Sequence, residues 1–227
     1  MNSLSGVGVL DKAMAVLGAL EPGPRSLSDL VVATGLSRAT AHRLAVALEA
    51  HGLVRRDLEG RFTLGLRLIG LGHAAAEAVP GWLDARPALD WLRSQTGESV
   101  QLFVRDGDER VCVESIEAPH ELRTIVPVGA RLPLDRGSGG RVLRPAGGGG
   151  GAGGGGDAGG GARGWVESIG ERQAGVASVS APVVDPSGRV VAAVSVSGPI
   201  DRTSRSPGRR YGPAVVEAAA RISAHLA

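Results

Sequence analysis

Arg38, Thr40, His42 and Arg43 fall within six consecutive residues and gather two guanidinium groups, a hydroxyl and an imidazole on one short stretch. These are the groups that read base edges and phosphates. An arginine can grip guanine O6 and N7 or a phosphate in a fork, and Thr and His supply shorter supporting contacts. Arg43 and Arg38 are therefore the candidates for guanine or phosphate, with Thr40 and His42 beside them and Ser37 at the start of the stretch. Arg55, Arg56 and Arg61 follow downstream as candidate backbone contacts. A second set lies far along the chain, where Ser178 and Ser180, then Ser195 and Ser197, alternate with apolar residues. Such spacing puts each pair on one side of a strand, and hydroxyls that converge in this way orient a polar ligand in a mainly apolar pocket. Taken alone, a Ser-x-Ser pair equally suits solvent or packing beside a helix.

Catalytic chemistry finds less support. Gly137-Ser138-Gly139-Gly140 lacks the Lys-Ser/Thr of a phosphate-binding loop, and no G-x-S-x-G elbow occurs. Cys112 is the single cysteine, set in an apolar run that makes it a core residue, so neither an internal disulfide nor a multi-thiolate zinc site is available. The histidines at 42, 51, 73, 120 and 225 show no ligand spacing. The expectation is a chain that is not an enzyme, with no cofactor and no metal.

The elements that position these residues follow from periodicity. Ser26 and Asp29 form a capping box ahead of a helix starting near Leu27, with Leu27, Leu30 and Val31 on one face. Gly35 suits the left-handed end of that helix, and Ser37 caps the next, whose apolar stripe is Ala41, Leu44, Ala45 and Leu48. Upstream, Val9, Ala13, Val16, Leu17 and Leu20 define a third amphipathic helix. Downstream, Leu53–Arg56 and Arg61–Leu64 flank a turn at Asp57–Gly60 and read as a β-hairpin. Three helices and such a hairpin make a winged helix-turn-helix, although helix pairs with a glycine turn also occur in proteins that never meet nucleic acid. A helix over Leu66–Ala78 then joins a second domain. There the spacing predicts a helix through Leu89 and Leu92 to Thr96, hairpins at 99–115 and 177–197, and a last helix over Ala214–Leu226, an α+β domain with a central antiparallel sheet.

With 227 residues, 43% of them hydrophobic, the chain has room for two ordinary domains. Its net charge of +2 is small, so affinity for DNA must come from local clustering such as that between Arg25 and Arg67. Lys12 is the only lysine. No stretch approaches the ~18 apolar residues of a membrane span, and Asp11 argues against a signal segment over Ala13–Leu20. A reducing, cytoplasmic location is expected.

Longer matches then carry a resemblance. GVGVLDKA (Gly6–Ala13), ATGLSRATAHRLAVALE (Ala33–Glu49), TGES (Thr96–Ser99), VPVG (Val126–Gly129), SIGERQAGVASVSAPV (Ser168–Val183) and GRVVAAVSVSGPI (Gly188–Ile200) span nearly the whole chain. The sequence resembles the IclR family of bacterial transcription regulators, and within it the actinobacterial amino-acid-biosynthesis regulators of the NdgR/LtbR type. The resemblance implies a winged helix-turn-helix at residues 1–65, a linker helix at 66–80 and a GAF-like effector domain at 81–227. It further implies a homodimer or tetramer on an inverted-repeat operator, nucleoid-associated through it, and a small effector, an amino acid or organic acid. Family ligand contacts map near Ser178, Ser195 and Ser197, with Gly129 and the Ser168–Glu171 segment at the pocket border.

Gly147–Gly161 departs from that pattern, being almost pure glycine where the family has amphipathic helix. It is expected to be a flexible loop of roughly 20 Å end to end that leaves the pocket partly uncovered. Two alternatives stay open. One is a regulator whose sensing the tract has disabled; the other is a metabolite-binding module or enzyme that does not bind DNA.

Overall fold

A computed structural model describes residues 7–78, 85–145, 163–203 and 206–226. Gly147–Gly161 lies outside the described residues. The chain divides into two compact units, Met1–Ala78 and Val79–Ala227.

In the first unit, α1 (Gly8–Leu20), α2 (Leu27–Thr34) and α3 (Arg38–Ala50) are followed by β1 (Val54–Arg56), β2 (Phe62–Leu64) and α4 (Arg67–Glu77). The chemistry of the helix ends is the expected one. Ser26 Oγ accepts from the Asp29 amide while the Asp29 carboxylate accepts from the Ser26 amide, and Gly35 ends α2 at φ 67°. No side chain with a Cβ adopts that backbone without strain. Ser37 Oγ then accepts from the Thr40 amide to open α3. Val16, Leu20, Leu30, Ala45, Leu48, Val54 and Phe62 close into one core, and Phe62 exchanges two backbone hydrogen bonds with Arg25 that fasten the hairpin to the helices. Val9, expected on the buried stripe of α1, is instead 64% exposed. From Ala13 onward the stripe packs on the core shared with α2 and α3.

The second unit is built on a six-stranded antiparallel sheet in the order β5-β4-β3-β8-β7-β6. Its strands are β3 (Ser99–Asp106), β4 (Glu109–Ile116), β5 (Arg131–Pro133), β6 (Val166–Ile169), β7 (Val176–Val184) and β8 (Val190–Pro199). On one face, α5 (Arg86–Thr96) and α8 (Pro207–Ala224) bury Leu89, Leu92, Val215 and Ile222 against Val100, Leu102, Val179, Val194 and Val196. On the other lies α6 (Ser138–Leu143), where Val142 and Leu143 pack with Phe103, Cys112, Val126 and Ala193. A short α7 (Ile200–Thr203) follows β8.

One expectation is corrected by this packing. The last helix begins at Pro207 rather than Ala214. Gly208, Gly212 and Pro213 read as breakers, yet the glycines make the floor of a slot for Trp165: a Cβ at Gly212 would lie 2.5 Å from the indole Nε1, and one at Gly208 closer still. In β3, the alternate residues Ser99, Gln101 and Phe103 are buried as fully as Val100 and Leu102, because the sheet is covered on both faces. No helix among the described residues is long and apolar enough to cross a membrane.

Candidate functional site: a nucleic-acid interface and a hydroxyl-lined cavity

Arg38, His42 and Arg43 are exposed on α3, Arg43 on the side opposite the buried Ala41, Ala45 and Leu48, His42 to one flank and Arg38 at the first turn. The three polar side chains have no hydrogen-bond or ion-pair partner among the described residues. Thr40 differs. It is half-buried, and its Oγ1 accepts from Ser37 Oγ at 2.9 Å, so part of its polarity is spent on the helix cap. At ~100° per residue the direction away from the core also carries Ala39 and Val46, both exposed and the latter 41% so. Sequence reasoning missed them because it searched the helix for polar groups, although apolar side chains on a reading helix meet the thymine methyl.

The hairpin arginines separate into two kinds. Arg56 pairs with Glu49 at 3.3 Å and lies over the Phe62 ring, 4.2 Å from its centre. Arg61 pairs with Asp57 at 2.8 Å and Glu59 at 3.2 Å. Asp57 further accepts from the Arg61 and Glu59 amides; desolvation pushes its carboxyl up, but the Arg61 side chain together with these amide bonds outweighs it and holds the group below the ordinary carboxylate range. Arg55 is exposed with no ion pair among the described residues.

In the second unit the serines come together. Ser178 stands opposite Ser197 and Ser180 opposite Ser195 in the β7/β8 register. Ser180 Oγ is 2.5 Å from Ser195 Oγ, and Ser138 Oγ at the start of α6 lies 2.7 Å from both Ser178 and Ser180. Ser197 donates to Gln101 Oε1 at 2.9 Å. The glycines around Ser138 permit this approach. A Cβ at Gly139 would sit 3.1 Å from Ser195 Oγ, and one at Gly140 would be 2.6 Å from the Leu134 carbonyl.

Beneath α6 lies a cavity of about 30 Å³ whose walls include Gln101, Phe103, Arg110, Ser138, Ser168, Arg172, Ser178, Ser195 and Ser197, with Ser180 behind them. Gly129 is exposed and outside that wall; its amide donates to the Cys112 carbonyl at 2.7 Å. Glu171 sits beside the cavity, accepting from the Gly137 amide at 2.9 Å and pairing with Arg141 at 3.2 Å. Arg110, which the sequence did not single out, is 3% exposed. Removal from water, with a smaller contribution from Arg172 nearby, brings its guanidinium down to about 10. Burial pushes the Cys112 thiol up to about 12, in keeping with a core role. Among the described residues no group of three or more His, Cys, Asp or Glu could hold a metal.

The chain matches two family models, the IclR helix-turn-helix domain over residues 9–58 and the bacterial transcriptional regulator IclR C-terminal domain over residues 82–147 and 161–224. The chain belongs to the IclR family. Its first unit thus carries the IclR DNA-binding domain and its second the IclR effector-binding domain. It is similar to the glycerol operon regulatory protein of Streptomyces griseus, 31% identical over 96% of this chain and 95% of that protein. It is 35% identical to the HTH-type transcriptional regulator KipR of Bacillus subtilis over 58% of this chain, a match that spans only 53% of KipR. An IclR homologue of Microbacterium hydrocarbonoxydans, solved in complex with 4-hydroxybenzoate, shares the fold with a TM-score of 0.73 over 96% of this chain and 98% of its own, at 21% identity. IclR-family proteins of this kind are DNA-binding transcriptional regulators and not enzymes.

Proposed function

We propose that this IclR-family regulator reads its operator with α3 and the β1–β2 wing and takes its effector in the serine-lined cavity. The observation that carries the second half is the packing of buried Ser138, Ser180 and Ser195 and half-buried Ser178 into one hydroxyl cluster against a cavity. At the DNA, Ser37 fixes the start of α3, Arg38 and Arg43 contact guanine or phosphate, and Thr40 and His42 assist. Arg55, Arg56 and Arg61 lie along phosphates. In the cavity Ser168, Ser178, Ser195 and Ser197 contact the effector. Glu171 holds the Gly137 turn over it, and Gly129 shapes the neighbouring loop.

A homodimer or tetramer on an inverted repeat follows from the two-fold symmetry that such operators share with their proteins, with reading helices one helical turn apart. The domain boundaries fit this division of labour, residues 1–65 for DNA, 66–80 as linker and 81–227 for the effector. The site of action is the cytoplasm, on the nucleoid. The target genes are metabolic. The amino-acid-biosynthesis resemblance favours amino-acid genes such as those for leucine, whereas the Streptomyces relative is named for a glycerol operon. The deciding experiment footprints the protein upstream of its own gene with and without a panel of amino acids, glycerol derivatives and aromatic acids. Protection altered by one class assigns the effector; protection that none of them alters favours a regulator without ligand control, and no protection of any duplex sinks the operator reading.

A further inference from the structure

The outer face of α3 is not uniformly polar. Ala39, His42, Arg43 and Val46 are all exposed and follow one another at i, i+3, i+4 and i+7, the spacing with which a helix lying in a major groove presents side chains to base edges. At ~100° per residue these four occupy a band of roughly 100°, in the order Arg43, Ala39, Val46, His42 around the helix. Two apolar side chains thus stand between two polar ones. Along the axis the order differs: at about 1.5 Å per residue, Arg43 lies roughly 6 Å beyond Ala39 and roughly 4.5 Å short of Val46.

The fold gives neither apolar residue a role. Val46 is absent from the core that takes Leu44, Ala45 and Leu48, and a β-branched side chain on an open helix face lowers helix stability relative to alanine. Ala39 is exposed at the second position of α3. An apolar protein surface would match the band poorly, because Arg38, His42 and Arg43 edge it and none of them has an ion-pair partner among the described residues. A DNA duplex matches both features. Its phosphates answer the cations, and the C5 methyl of thymine is the apolar group that base edges display in the major groove.

We propose that Ala39 and Val46 are specificity-determining residues that pack on thymine methyls, so that each half-site carries a thymine one or two base steps to either side of the guanine taken by Arg43. This rests on α3 reading the operator. The separations of roughly 6 and 4.5 Å along the helix lie between one and two steps of about 3.4 Å. Arg43 fixes the register, and the two methyl contacts select thymine on its flanks.

The test starts from duplexes that the full-length protein selects from a randomised pool, followed by titration of the selected duplex and of copies with deoxyuridine in place of single thymidines. Deoxyuridine removes the methyl and leaves every hydrogen-bonding group and charge in place. Selected half-sites are expected to hold a thymine within two steps on each side of a G·C pair, and each deoxyuridine there should weaken binding about 3–5-fold, the worth of burying one methyl-sized group. Val46→Ala is the primary variant, because alanine favours the helix and leaves folding intact. It should weaken binding to the thymidine duplex roughly 3–10-fold and cost less than about 2-fold on the copy with deoxyuridine opposite it, the signature of a direct contact in a double-mutant cycle. Ala39→Ser should do the same at the other flank. Unchanged affinity for the deoxyuridine copies, or a Val46→Ala loss equal on both duplexes, overturns the methyl contacts and leaves α3 as the reading helix. Val46→Ala that spares DNA affinity but alters the sedimentation of the free protein makes this face a contact between copies and overturns them as well. Failure to select any sequence overturns the operator reading and this inference together.

Discussion

The outer face of α3 and the floor beneath α6 both gather polar side chains, and they treat them in opposite ways. On α3, Arg38, His42 and Arg43 extend into solvent without partners among the described residues, above a stripe of small apolar residues that fixes only the helix axis. In the cavity, Ser138, Ser180 and Ser195 are buried and tied to one another across α6 and two strands. A surface that must follow a grooved polyanion gains from side chains free to adjust, and its affinity comes from charge. A cavity that must tell one small molecule from another gains from groups already fixed, because ordering them on binding would cost affinity. Stability and function are thus separable on α3 and fused beneath α6.

That contrast can be broken experimentally. The largest effect is expected for Gly140→Ala, whose Cβ would press on the Leu134 carbonyl and the Arg110 guanidinium; overpacking of this kind should cost about 3 kcal/mol, read as a lower urea midpoint. Wild-type stability would show that the floor is not rigid. Ser180→Ala removes the hydroxyl shared by Ser138 and Ser195 and should cost ~1–3 kcal/mol by leaving buried partners unsatisfied, with sequence preference on DNA untouched. Arg43→Ala should do the reverse, losing ~1–3 kcal/mol of operator affinity and relaxing one base position while folding stability stays within about 0.5 kcal/mol. A titration with unchanged affinity and preference would remove Arg43 from the contact set. On the wing, Arg55→Gln should lower the slope of log K against log salt by about 1 and leave base preference alone. The smallest effect belongs to Cys112, whose raised pKa and burial predict no alkylation of native protein at pH 8; rapid labelling would mean that the β4 core opens.

The first unit was largely legible in the sequence because its information is local. Ser26, Asp29, Gly35 and Ser37 act on backbone groups within four residues, so spacing alone reveals them. In the second unit, local spacing also paired the serines, since Ser-x-Ser on two strands of one hairpin fixes which faces meet. Gln101 and Arg110 escaped notice for a physical reason. Polar residues in a strand ordinarily mark the solvent face, and only a second covering layer, α6 with its glycines, turns that face into an interior. The start of α8 was missed in the same way, because Gly208 and Gly212 look like helix breakers until the ring of Trp165, more than forty residues earlier, is in place.

The hydroxyl cluster has one property that heavy-atom positions alone do not convey. In the run Ser178, Ser138, Ser180, Ser195 every link is a contact between two groups that can each give or receive a hydrogen. The run therefore has two self-consistent polarities, one with all hydrogens turned toward Ser195 and one with all turned toward Ser178. A ligand that accepts at one end selects one polarity, and a ligand that donates there selects the other. Either choice is relayed some distance through the wall by rotation of hydroxyl hydrogens, with no carbon, nitrogen or oxygen changing place.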